Sequence, residues 1–170
     1  MFELSSLMLL ILPALVIIAG LKDATSFRIP NWISLAALAS FVPAALALGA
    51  GLPLIGMHLG VGVAALALAM AMWALGWIGG GDAKLFAASA LWIGWPAVGM
   101  FLLITALGGG ALSIMLLNLR SGWARAVVPV GPPWVERLRQ NGGDVPYGVA
   151  IAAGALAAFP STDLVKLLIA

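Results

Sequence analysis

The chain has 170 residues, of which 64% are hydrophobic and only 8% charged, with a mean hydropathy of +1.15, so its main solvent must be lipid. It holds no cysteine and a single histidine, His58; this excludes disulfides, a thiol nucleophile, a cysteine or histidine zinc centre and an ordinary serine triad. The net charge of +2 says little as a sum, because in a membrane chain the placement of charge matters more.

At about 20 apolar residues per crossing, the length allows about six transmembrane helices and little else. The expected fold is therefore all-α, a polytopic membrane helix bundle forming a single domain over residues 1–170. The first apolar run, Leu4 to Leu21, is closed by Lys22 and Asp23. Glu3 precedes it where a cleaved signal would carry basic residues, so an uncleaved, outward-facing N-terminus is expected. Pro30 and Asn31 are start signals for a second helix from about Trp32 to Leu48, and Gly49 to Pro53 form the next turn. A third span runs from Leu59 to Ile78 and stops at Gly79, Gly80 and Gly81. A short fourth helix starts at Gly81 or Asp82; Gly94, Trp95 and Pro96 form a tight turn, and a fifth helix runs on to Arg120. The fourth is only about 22 Å long, which calls for a start below the headgroups or a locally thinner bilayer. A single crossing in its place would put the basic loop Arg120 to Arg139 outside. Pro132 to Gln140 reads as a short amphipathic helix lying in the interface. A sixth helix follows from Pro146 to Leu168.

This topology places Lys22, Arg28, Lys84, Arg120, Arg125, Arg137 and Arg139 on the cytosolic side and only Lys166 outside, which fixes the orientation. Trp32, Trp77, Trp92, Trp95 and Trp123 fall near span ends, as interfacial anchors do. Gly108 to Gly110, Gly99 and Ala106 are expected to let helices approach closely.

With thiol and histidine chemistry excluded, the catalytic options narrow to carboxylates or to no catalysis. Glu3 and Asp163 fall outside. Asp23 closes the first helix and Asp82 opens the fourth, and the two crossings between them return the chain to the same face. Two carboxyl groups a few ångströms apart in a poorly hydrated site resist double ionisation and share a proton. The ionised partner then takes a proton from attacking water, while the protonated one hydrogen-bonds the carbonyl oxygen. Taken singly, Asp82 also reads as a helix cap beside an interfacial Lys84, and Asp23 as a boundary charge. Gly79 and Gly81 permit close approach of an extended substrate strand. Asp144, after Gly142 and Gly143, is the main competitor for a catalytic role.

Three stretches resemble one known family. GGGDAKL, Gly79 to Leu85, is similar to the G-x-G-D motif of type IV prepilin peptidases and their archaeal preflagellin relatives. Asp23 to Asn31, with Arg28, Ile29, Pro30 and Asn31 at its end, resembles the family's other signature. Val145 to Ile151, with Pro146, Tyr147 and Gly148, is a third match at the start of the last helix. The resemblance implies that Asp23 and Asp82 are the catalytic pair of an aspartic endopeptidase in the bacterial inner membrane. It implies that prepilins and pseudopilins lose their leader peptides at the cytosolic face, with Gly79, Gly81, Lys84, Arg28, Pro30, Asn31, Pro146, Tyr147 and Gly148 shaping the site. The short form is most similar to the peptidases of tight-adherence (Flp) pilus systems, and no separate methyltransferase domain is expected. The expected partners are the substrate and the lipid bilayer, with no nucleic acid, no metal and no cofactor. Two other readings compete: a transporter or assembly factor in which the aspartates bind protons or ions, and a presenilin-like intramembrane protease that cuts transmembrane segments.

Overall fold

The computed structural model describes residues 2–121, 131, 133–139 and 145–169, and every regular element among them is a helix. The order is α1 (Phe2–Leu9), α2 (Ile11–Ser26), α3 (Asn31–Ala47), α4 (Leu52–Ala74), α5 (Gly80–Ile93), α6 (Val98–Leu119), the short α7 (Pro133–Arg139), α8 (Tyr147–Ala158), a 3-10 turn (Phe159–Ser161) and α9 (Asp163–Ile169). Three described helices are long and apolar enough to cross a membrane: Ser6–Ser26, Leu52–Ala74 and Val98–Leu119. Tyr147–Ser161 and Asp163–Ile169 together make a fourth if counted as one span bent by about 40°. The chain is an all-α membrane helix bundle.

Several boundaries differ from the sequence reading for local reasons. Asp23 does not close its helix: α2 runs one turn further, to Ser26, and ends on Phe27, whose φ of 54° is left-handed. α4 begins at Leu52 because Pro53 falls in its first turn, where the missing N–H costs nothing. The last apolar stretch is two helices, broken at the 3-10 turn that holds Pro160.

α5 occupies the centre. It packs on α4, α3, α8 and α2, and every residue from Leu85 to Ile93 is buried. Its 14 residues span only about 21 Å, but its flanks meet protein rather than lipid, so bilayer thickness does not set its length. Trp92 is 0% exposed, and its indole N–H donates to the Ala37 carbonyl at 2.7 Å, joining α5 to α3. It is therefore a core residue and not an interfacial anchor, unlike Trp32, Trp77 and Trp95, which are exposed. Trp123 lies outside the described residues.

His58 has a structural task. It is fully buried, stacks on Phe41 with ring centroids 5.4 Å apart, and its Nδ1 is 2.8 Å from the Leu91 carbonyl. Leu91 lies in the last turn of α5, where carbonyls lack helical partners; a ring N–H from α4 supplies one. Gly94 turns the chain away with φ 64°, and a Cβ there would strike the His58 ring.

α8 packs on α6, α2 and α5 through small residues. A Cβ added at Gly154 would strike the Thr105 hydroxyl and come within 2.9 Å of the Phe101 carbonyl. Gly108 and Gly109 of α6 face Ala150 and Tyr147, whereas Gly99 and Gly110 face open space, so only part of the expected glycine stripe mediates packing. α7 falls where an interfacial helix was expected. It is tied to the end of α6 by the Arg120 Nε donation to the Leu138 carbonyl at 2.8 Å, and its Arg139 pairs with Glu136 at 3.1 Å.

Candidate active site

Asp23 sits in the last turn of α2 and Asp82 in the first turn of α5, and they are only 5% and 7% exposed. Both line one cavity of about 230 Å³, walled also by Phe27, the 76–79 loop, Val145 and Tyr147. Three chain segments distant in sequence thus converge on two carboxyl groups.

Each carboxyl group is oriented by a backbone amide. Gly148 N donates to Asp23 Oδ2 at 2.7 Å; Gly148 is the second residue of α8, whose first amides have no helical acceptor. Gly79 N donates to Asp82 Oδ2 at 3.1 Å, so Asp82 reaches back from the third helical position to the residue that caps α5, the carboxylate half of a capping box. A side chain at either donor position would press on the carboxyl group that its amide holds. A Cβ on Gly148 would lie 2.8 Å from Asp23 Oδ2 and 2.8 Å from Ile29 Cδ1, and one on Gly79 would lie 2.9 Å from Asp82 Oδ2.

The remaining predicted residues divide into two groups. Tyr147 lines the cavity, with its hydroxyl 3.3 Å from Ser113 Oγ, and Pro146 is the buried residue that caps α8. Gly81 faces away from the cavity, against Ile29. Pro30 caps α3. Lys84 Nζ donates to Asn31 Oδ1 at 2.9 Å, and both residues line a different recess between α3, α4 and α5. Arg28 is exposed and does not line the cavity. Asp144 lies outside the described residues.

Sequence reasoning missed Phe27, Trp77, Ile78 and Val145 as cavity walls. Phe27 carried no local signal. A non-glycine residue held at positive φ costs about 1 to 2 kcal/mol, and such strain concentrates at functional sites. Among the described residues, no group of three or more His, Cys, Asp or Glu side chains is arranged to hold a metal ion.

Comparison with known proteins shows the family. Two prepilin leader peptidase/N-methyltransferases, from Aeromonas hydrophila and Aeromonas salmonicida, are each 35% identical over 71 residues, covering 36% of this chain and 24% of theirs. A protein of the same name from Legionella pneumophila is 34% identical over 55 residues, covering 32% of this chain and 19% of its own. The chain thus matches about a quarter or less of the length of these curated relatives. No solved structure matches it significantly. The model of the type IV leader peptidase family matches residues 10–114, a stretch that holds Asp23, Asp82 and the glycines before Asp82 but stops short of Tyr147 and Gly148. By that match, which spans well over half of its length, the chain belongs to the type IV leader peptidase family.

Proposed function

We propose that this protein is an aspartic endopeptidase of the bacterial inner membrane that removes leader peptides from prepilins and pseudopilins at the cytosolic face. The carrying observation is that two buried carboxyl groups, from the end of α2 and the start of α5, line one small cavity. One carboxylate takes a proton from a water molecule as its oxygen attacks the scissile carbonyl. The partner carboxylic acid hydrogen-bonds the developing oxyanion, and a proton returns to the departing amine. The amides of Gly148 and Gly79 hold the two side chains in place, so little reorganisation is needed at the moment of reaction. Phe27, Ile78 and Val145 provide apolar walls that limit water. The substrate strand must be extended there, because a helix hides its carbonyls behind the next turn.

The Asp23 to Asn31 and Gly79 to Leu85 stretches resemble the signatures of type IV prepilin peptidases, which supports prepilins as substrates, and Flp-type pilins are the class proposed. The proposal is tested with purified protein in liposomes and a Flp-type prepilin, with the products read by mass spectrometry. The expected result is a single cut that separates the leader from the apolar segment. An intact prepilin, or a cut inside the apolar segment, refutes the proposal.

A further inference from the structure

A second recess lies between α3, α4 and α5. α3 and α4 both pack on α5 but scarcely touch each other, which leaves a slot of about 440 Å³ floored by Ala87, Ala88 and Leu91. Its rims are leucines and Val63, and Leu35, Leu38 and Val63 are exposed. Only Asn31, Ser34 and Lys84 bring polar groups, and Asn31 and Lys84 stand together at one end. From that end the slot follows α5 as far as Leu91, a distance of about 10 Å.

Charge and lining identify the occupant. Among the described residues, Lys84 bonds only the uncharged Asn31 carboxamide oxygen, and no carboxylate pairs with it. Two ammonium hydrogens and the Asn31 NH₂ group are left to donate. Asn31 is also the first residue of α3, whose 17 residues present unpaired amides and the positive end of the helix dipole to the same spot. An anion is favoured there. The slot is open along one side and lined by leucines, Val63 and alanines over that length, so a flexible hydrocarbon chain can lie in it with its charged end at Lys84. We propose that the slot binds one acyl chain of an anionic phospholipid, with its phosphate on Lys84 and Asn31. This site is separate from the aspartate cavity, and the inference does not rest on the peptidase reading.

The test is native mass spectrometry of the purified protein incubated with equal amounts of phosphatidylglycerol and phosphatidylcholine carrying identical acyl chains. Phosphatidylglycerol should be retained about fivefold over phosphatidylcholine. Lys84→Gln should bring that ratio close to one. Filling the slot from its rim with Val63→Trp, or from the opposite wall with Leu35→Trp should the first not fold, should reduce retention of both lipids. Glycerol phosphate, which has the charge without the chains, should not displace the lipid. Equal retention by the wild type, a preference that survives Lys84→Gln, full retention in a folded slot-filled variant, displacement by glycerol phosphate, or a dimer mass in place of bound lipid would each overturn the proposal.

Discussion

Gly148 and Asp23 are 125 residues apart in sequence, yet the Gly148 amide donates to Asp23 Oδ2 at 2.7 Å. This bond closes the cavity on one side, because it ties the end of α2 to the start of α8 and fixes the rotation of the Asp23 carboxyl group. Gly148→Ala would place a methyl group 2.8 Å from that oxygen and 2.8 Å from Ile29 Cδ1, and overpacking of this kind costs about 1 to 3 kcal/mol. The variant should keep its helix content by circular dichroism and lose prepilin cleavage by roughly tenfold or more. Cleavage at the wild-type rate would show that Asp23 does not depend on this contact.

The three consecutive glycines before Asp82 are not equivalent. A Cβ at Gly79 would lie 2.9 Å from Asp82 Oδ2, while one at Gly80 meets nothing closer than Trp73 at 3.5 Å. Gly79→Ala should therefore reduce cleavage by roughly tenfold or more, and Gly80→Ala should leave it within about twofold, since alanine is the better helix former at that position. Initial rates of leader release for the two variants decide the matter. Equal rates would remove the case for Asp82 being held by the Gly79 amide.

The sequence led to the expectation that Asp23 and Asp82 share one membrane face, since two expected crossings separate them, but not that they line one cavity, which depends on how α2 and α5 pack. The central place of α5 was not legible: its shortness was read as a start below the headgroups or a locally thinner bilayer, whereas the helix is enclosed by α4, α3, α8 and α2. The direction of side chains was not legible. Lys84 is two positions from Asp82 and belongs to the same motif, yet it points to Asn31 and a different recess. Trp92 looked like a boundary anchor because in a membrane protein apolar residues face both protein and lipid, so hydropathy loses its power to separate inside from outside. The bond between Gly148 and Asp23 is a long-range contact that no local pattern encodes.

His58 should be a stability residue. Its replacement by alanine removes the donor to the Leu91 carbonyl and leaves a void between Phe41 and Gly94. The expected loss is about 3 kcal/mol, to be read as a lowered thermal unfolding midpoint in detergent. An unchanged midpoint would mean that the end of α5 does not need this donor.

Orientation is open to a clean test because the chain holds no cysteine. Thr25, beside Asp23 on α2, and Ser161, beyond the far end of α8, are both exposed. With the cavity facing the cytosol, Thr25→Cys should react with a membrane-impermeant maleimide in inverted vesicles but not in intact spheroplasts. Ser161→Cys should do the reverse. The opposite pattern would turn the protein over in the membrane and remove the cytosolic assignment.

The chemistry itself stands on Asp23 and Asp82 acting as a pair. Single-turnover cleavage of a prepilin by Asp23→Asn and Asp82→Asn in liposomes measures this most directly. Each change keeps the shape of the side chain and removes its ability to exchange a proton, so each should lower the rate by roughly 10³-fold or more while the protein stays folded. Cleavage near the wild-type rate by either folded variant would contradict the account.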